Sequence, residues 1–578
     1  MLLFRRAPRL GRLLAKSLVC LLAAGCAVER WPVFDVDWEQ ELADRPLTPI
    51  NVPESLKPSP SDSTRAPLLP PDGPVELSVE QAVLLALSGN RDLRVQQLTP
   101  VINAAFERIE RGAWDPEVFA DASAGQQRAT EVSRATGEQF SVEADDAAVS
   151  GGVRQRLPTG TTVELEAEDT LTSSNRTPDQ HEARVGLTVT QSLLQGFGPA
   201  VNLATVRQAR LETLASLYEL RGFTEALLAE TETTYWLYAL ARREIVIFEA
   251  SLELARQQLD ETQQRVDVGV LPPTEIAAAQ AEVALREQAL IDARSELESQ
   301  RFRLVRLMSP DLGEATLAGL MDRAVLPSSD IETQATPIED LPLRLQLAQR
   351  LRPELNEARL RLQQNRLETI VTRNGLLPRL DLFVTLGRSG YSEAFGDAIE
   401  DLIDGDSYDL SAGASFSWFL GNRAAEGRHL VAIATAQQAA AAIENLAQLV
   451  HLDVRLAATE VERSRQQIGA TAATRALREE ALRAEQERFR VGSSTNLLVA
   501  QAQRDLLQSQ ISEVEAIVAY RIALINLYLA EGSLLERRGI RIGNTLPALP
   551  ADLAITPAPA TLPATTPATR PATGPGGD

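Results

Sequence analysis

The sequence predicts a mainly α protein carrying membrane β-strands, with long antiparallel helices laid out as an internal twofold repeat. Three observations predict this. Residues 200–268 and 424–491 hold no proline and keep helical apolar spacing. Shorter segments beside them alternate apolar and polar residues with period two. Short motifs from the first half recur in the second in the same order.

Composition narrows the functional classes. The 578 residues are 44% hydrophobic, 24% charged and 4% aromatic, enough for more than one core. Lys+Arg is 57 against Asp+Glu 79, a net charge of −22, so nucleic acid is excluded as a partner by like-charge repulsion. Two Cys and three His leave no basis for a disulfide scaffold or a Cys/His metal site. No stretch is long and apolar enough for a transmembrane helix, so any crossing must be made by strands.

Residues 1–25 read as an export signal: Arg5, Arg6, Arg9, Arg12 and Lys16 precede the apolar run Leu18–Leu22. Leu22-Ala23-Ala24-Gly25-Cys26 resembles a bacterial lipoprotein cleavage box, which makes Cys26 the expected lipid-attachment residue. Ala23 stands where such boxes usually carry Leu, and plain cleavage leaving a free Cys is the alternative. Residues 26–75 form a Pro-rich tether, and 541–578 an Ala/Pro/Thr-rich tail expected to be disordered. No cofactor other than the lipid on Cys26 is expected.

The body divides into a first unit, 76–308, a linker, 309–337, and a second unit, 338–540. Arg265-Val266-Asp267-Val268-Gly269 recurs as Arg488-Phe489-Arg490-Val491-Gly492, and Ala279-Gln280 and Ala502-Gln503 follow at identical spacing. Arg91-Asp92-Leu93 corresponds to Pro353-Glu354-Leu355, and Pro116 to Pro378. The first helix starts at Ser78 with Gln81 three residues on, the spacing of a capping box. Each long helix would run roughly 100 Å. Gly269 and Gly492 suit left-handed C-caps, after which Pro272-Pro273 and Ser493-Ser494 start return helices. Ile443, Leu446, Val450, Val454, Ala457 and Val461 form one stripe, and Leu449, Leu452 and Leu456 a second. Two stripes call for neighbours on two sides, whereas a plain coiled-coil rod needs one seam.

Among the alternating segments, Leu410, Ala412, Ala414 and Phe416 oppose Ser411, Gly413 and Ser415. Leu380, Leu382, Val384 and Leu386 oppose Arg379, Asp381 and Thr385; Val185, Leu187 and Val189 oppose Gly186, Thr188 and Thr190. Val163, Leu165 and Ala167 alternate with Glu164, Glu166 and Glu168. An apolar outside around a small or charged inside is the pattern of a lipid-bathed barrel. A soluble sandwich would look similar segment by segment; the export signal and adjoining long helices favour the barrel.

Together with Leu377-Pro378-Arg379-Leu380 and Gln191-Ser192-Leu193-Leu194-Gln195-Gly196, these motifs make residues 76–540 resemble the TolC-like outer-membrane efflux protein family. The resemblance implies a homotrimer in the outer-membrane lipid. Each chain would give about four strands to a shared transmembrane β-barrel and its helices to a trimeric α-barrel tunnel across the periplasm. It implies an exit duct of a tripartite efflux or type I secretion system, working with a periplasmic adaptor and an inner-membrane transporter. The longer stretch between Pro116 and Gln195, with the Leu157-Pro158-Thr159-Gly160 turn, would extend a surface-facing hairpin or, alternatively, add strands to the barrel. Arg265, Val268, Gly269, Arg488, Val491 and Gly492 would form adaptor-docking tips. Leu497, Leu498, Gln501 and Arg504 would line the periplasmic aperture, mainly a hydrophobic constriction with Arg504 its one charged ring. Leu498 and Gln501 stand where many members carry Asp. Helix packing of the two Leu, with Arg504 neutralised by a carboxylate, is the competing reading.

Enzyme motifs were not found: there is no phosphate loop and no His-Glu-x-x-His helix. His181 falls in an expected loop, and His429 and His451 near the second long helix. Asp145-Asp146 and Glu479-Glu480 read as surface charge. A non-pore periplasmic coiled-coil lipoprotein and an exported enzyme are the other functional classes.

Overall fold

The computed structural model describes residues 74–132, 137–308, 323–331 and 335–540. Cys26, the export signal and the C-terminal tail lie outside the described residues. The described chain runs β1 (Val75–Leu77), α1 (Val79–Gly89), α2 (Arg91–Gly112), β2 (Glu117–Val132), β3 (Gln139–Arg156), β4 (Thr161–Ser174) and β5 (Gln180–Ser192). Then follow α3 (Pro199–Asn202), α4 (Ala204–Asp267), α5 (Thr274–Met308), β6 (Val325–Pro327), α6 (Leu341–Leu351) and α7 (Pro353–Asn374). The last elements are β7 (Arg379–Ser392), α8 (Phe395–Asp404), β8 (Asp409–Ser417), α9 (Arg423–Arg490), α10 (Asn496–Glu531) and α11 (Leu534–Arg537).

Local signals set the helix boundaries. The Ser78 hydroxyl accepts from Gln81 N at 3.2 Å, and the Gln81 side chain accepts from Ser78 N at 2.9 Å, a complete capping box. Helices α4 and α9, of 64 and 68 residues, pack antiparallel to α5 and α10 across the glycine turns. Helix α10 also packs on α4, joining the two hairpins, while α7 bridges α4 and α9.

The core lies where these helices meet β1 and β6. These short strands pair in parallel, Val75 opposite Val325, and the Tyr235 hydroxyl donates to Leu77 O at 2.8 Å. Tyr235, Trp236, Leu304 and Leu534 are buried around them. Burial there includes charge: Glu232 is fully buried and held by Arg538 at 2.5 and 2.6 Å. Paired, it avoids the large cost of an isolated buried carboxylate. Of the two stripes on α9, Val450, Val454 and Val461 are buried against Leu355, Tyr520 and Leu527. Leu449, Leu452 and Leu456 remain exposed on the single chain.

The strands form one antiparallel sheet in the order β2-β3-β4-β5-β7-β8. Six strands replace the expected four, because the stretch after Pro116 folds into two hairpins rather than one long one. The turn at Leu157–Gly160 is correspondingly not surface-facing. It lies at the helix-proximal end of the sheet, where Asn202 donates to Pro158 O and to Gly196 O at 3.0 and 2.8 Å. Gly160 adopts φ 87°, and a Cβ there would meet Gly196 O at 2.4 Å, so both conformation and space require glycine. His181 is likewise not in a loop but in β5, its Nδ1 3.0 Å from Asp169 on β4.

Candidate functional site: the hairpin tips and the sheet

Both tips close by the same backbone pattern. Val268 N donates to Gln264 O and Val270 N to Arg265 O; Val491 N donates to Glu487 O and Ser493 N to Arg488 O. Gly269 and Gly492 take φ 78° and 77°, and a Cβ on either would meet nothing within 4 Å. Glycine is therefore required by the left-handed cap alone. Val268 and Val491 project into solvent, each 74% exposed, with Val270 beside them.

The tips touch each other. The Arg265 guanidinium lies 4.4 Å from the Phe489 ring centroid, and its Nη1 donates to Phe489 O at 3.2 Å. Phe489, Leu482 and Val499 are buried beneath it with Leu254 and Leu271 from the other hairpin. Arg265 thus holds one tip to the other. Arg488 stays exposed, paired with Glu485 at 3.2 Å.

Past the second tip, α10 turns Asn496, Val499, Gln503 and Leu507 into the protein. The Asn496 side chain accepts from Gln258 of α4 at 3.2 Å. Leu497, Leu498, Gln501 and Arg504 lie exposed on the other side of this helix. The structure thus brings the four candidate aperture residues to one surface. Arg504 approaches Glu282 of α5, Nε to Oε2 3.8 Å, and Glu282 also holds Arg286 at 2.6 Å. Its charge is thereby partly offset within the chain. Sequence reading missed the ion pairs that cross from α9 to α10, Arg478–Asp505 at 2.7 Å and Arg475–Glu513 at 2.5 Å. These residues are remote in sequence and carry no local motif.

At the opposite end of the long helices, the sheet has two chemically distinct faces. Cross-strand pairing sets Val118 opposite Val153, Val153 opposite Leu165 and Leu165 opposite Leu187. Leu187 faces Leu386, and Leu386 faces Leu410. Opposed residues share a face, so this apolar row crosses all six strands without a break. On the other face run Glu117, Arg154, Glu164, Thr188, Thr385 and Ser411. Arg154 donates to Glu164 at 2.7 and 3.2 Å, and Arg184 to Asp409 at 2.9 Å. Phe119 covers Gly152 and Phe383 covers Gly413, where a Cβ would come within 2.8 and 2.5 Å of the rings. An aromatic over a cross-strand glycine fills the gap left by the missing side chain.

The three histidines stay apart: His429 meets Thr372 at 3.1 Å and His451 meets Gln349 at 2.7 Å, far along the chain from the His181–Asp169 contact. No helix among the described residues is long and apolar enough to cross a membrane.

The family model for outer membrane efflux proteins matches residues 83–309 and 344–533. The fold is similar to that of the outer-membrane channel OprN, at 21% identity and TM-score 0.59, over 79% of this chain and 90% of that one. It is similar to the Campylobacter jejuni CmeC outer membrane channel, at 17% identity and TM-score 0.58, over 79% and 86%. The Neisseria gonorrhoeae MtrE outer membrane channel in its open state matches at 18% identity and TM-score 0.56, over 79% and 90%. No curated protein sequence matches the chain.

Proposed function

Because the chain belongs to the outer membrane efflux protein family, whose members are transport ducts and not enzymes, we propose that it is the outer-membrane exit duct of a tripartite efflux or type I secretion system. Three copies share one transmembrane barrel and one helical tunnel through the periplasm. Substrates pass without chemistry, driven by an inner-membrane transporter through a periplasmic adaptor. Cys26 carries the lipid that anchors the tether.

One observation carries this reading: a sheet apolar on one face and polar on the other continues directly into helices of 64 and 68 residues. The apolar face suits fatty acyl chains and the polar face water. A six-stranded sheet with open edges has unpaired backbone groups that lipid does not tolerate, so partners must seal them. The exposed Leu449, Leu452 and Leu456 stripe gives the helices a matching reason to associate. At the far end, Val268, Val270 and Val491 offer an apolar cap to the adaptor, shaped by Gly269 and Gly492 and flanked by Arg488. Arg265 supports docking by holding the tips together. Leu497 and Leu498 narrow the tunnel mouth, with Gln501 about one turn deeper and Arg504 about two.

Reconstitution into planar bilayers tests the proposal. Discrete ion currents from a detergent-solubilised trimer are expected. A non-conducting, water-soluble single chain would defeat it.

A further inference from the structure

Edges β2 and β8 carry an inference that rests on the trimeric duct just proposed. In the described residues β2 pairs only with β3, and β8 only with β7. Each therefore has one side without hydrogen-bond partners. The apolar face reaches both: Val118, Ala120, Ala122 and Ala124 on β2, and Leu410, Ala412, Ala414 and Phe416 on β8. A hairpin folded back outside the membrane would have no reason to continue the apolar row of its neighbours. The β2–β3 hairpin continues it, through Val118 and Val153.

We propose that β8 of one copy pairs with β2 of the next, so that each chain gives six strands to the wall and the trimer closes an eighteen-stranded barrel. That is half as many strands again as the four per chain which the family resemblance implies.

Direction and stagger agree with this closure. Six is even, so in a fully antiparallel sheet β2 and β8 run opposite ways, and a β8–β2 junction preserves the alternation. The register also climbs. Val118 sits one residue from the helix-proximal end of β2, at Glu117, whereas Leu410, in the same row, sits seven residues from the corresponding end of β8, at Ser417. For helix-proximal strand ends on one common rim, the next copy's β2 must meet Leu410 about six residues above Val118, at Ala124. That register opposes Leu410 with Ala124, Ala412 with Ala122, Ala414 with Ala120 and Phe416 with Val118. Every outward pair is apolar. A six-residue climb per chain gives a shear equal to the strand number, as in barrels whose strands tilt about 36°. Outer-membrane barrels tilt theirs by about 35–45°. Barrels of about 16–18 strands enclose an open aqueous channel.

Two measurements test the junction. Electron cryomicroscopy of the purified full-chain assembly counts strands directly. Eighteen supports the proposal; twelve, with β2–β3 outside the wall, overturns it while leaving the duct intact; a lone chain overturns both it and the duct. Separately, Ala122→Cys and Ala412→Cys in one chain should oxidise to a disulfide-linked oligomer ladder in membranes, lost in either single variant. A Leu165→Cys/Ala412→Cys chain should stay unlinked. Linking between β4 and β8 of different copies, with none between β2 and β8, would place the junction at β4 and overturn the proposal.

Discussion

Arg265 and Phe489, 224 residues apart in sequence, meet at the tips of the two long hairpins, the guanidinium 4.4 Å from the ring centroid and bonded to the Phe489 carbonyl. One residue from each hairpin thus closes the end opposite the sheet, and rigidity there sets how Leu497, Leu498, Gln501 and Arg504 are presented.

Removing that contact should loosen the tips first. Arg265→Ala loses a cation–π contact and a charged hydrogen bond, together worth about 1–3 kcal/mol. Faster amide exchange over residues 482–499 is expected, with exchange in the Tyr235 core unchanged. Arg265→Lys should fall between, since an ammonium can sit on the ring but cannot reproduce the planar fork. Unchanged tip exchange in Arg265→Ala would mean that the buried Leu482–Val499 cluster holds the tips by itself.

In the proposed duct, Leu498 and Gln501 stand where a carboxylate ring would titrate, beside the apolar Leu497. Leu497→Ser should raise single-channel current by weakening an apolar constriction. Closure should be nearly flat between mild acid and neutral pH. Steep closure near pH 5 would instead assign the aperture to carboxylates such as Glu282, which lies beside Arg504.

Burial pushes the Glu225 carboxyl up to about 7, against the opposing pull of Arg221. A carboxyl raised in the fold favours folding in its protonated form. Its effect on stability is therefore best at low pH and is lost as pH rises from about 4.5 to about 7. Glu225→Gln should flatten this window and raise stability at pH 8 by about 1–3 kcal/mol. Thermal unfolding of the reconstituted protein at pH 5 and pH 8 measures it; an unaltered difference between the two pH values would exclude Glu225 as its source.

The polar face of the sheet is rich in acid. Asp121, Glu166 and Glu168 share it with Glu117 and Glu164, while Arg154 and Arg184 are engaged by Glu164 and Asp409. A channel lined by this face should favour cations, read as a reversal potential of cation-selective sign in a salt gradient. Glu166→Lys with Glu168→Lys should weaken or invert that sign, and an anion-selective wild-type channel would place other residues at the limiting section.

Much of the helical architecture was legible because its signals are local. The capping box at Ser78, the tip glycines and the proline-free spans placed the ends of α4 and α9 within a few residues. The β2–β3 hairpin was not legible as such. Its apolar face is built mostly from Ala120, Ala122, Ala124, Ala147 and Gly151, whose small side chains give weak alternation, and Asp145-Asp146 reads as surface charge. Register against Leu165 and Leu187 identifies that face. The shared exposure of Leu497, Leu498, Gln501 and Arg504 follows from helical spacing, but the Glu282 partner of Arg504 could not be read, since it comes from the other hairpin.

Solvent access along β4, residue by residue, is the most direct measurement. Spin labels on single cysteines at Leu165, Ala167, Glu164 and Glu166 in reconstituted protein would report it. Labels at Leu165 and Ala167 are expected to collide with oxygen dissolved in lipid, and those at 164 and 166 with a water-soluble relaxant. Equal access of the water-soluble relaxant to all four would contradict a sheet sealed in lipid around water.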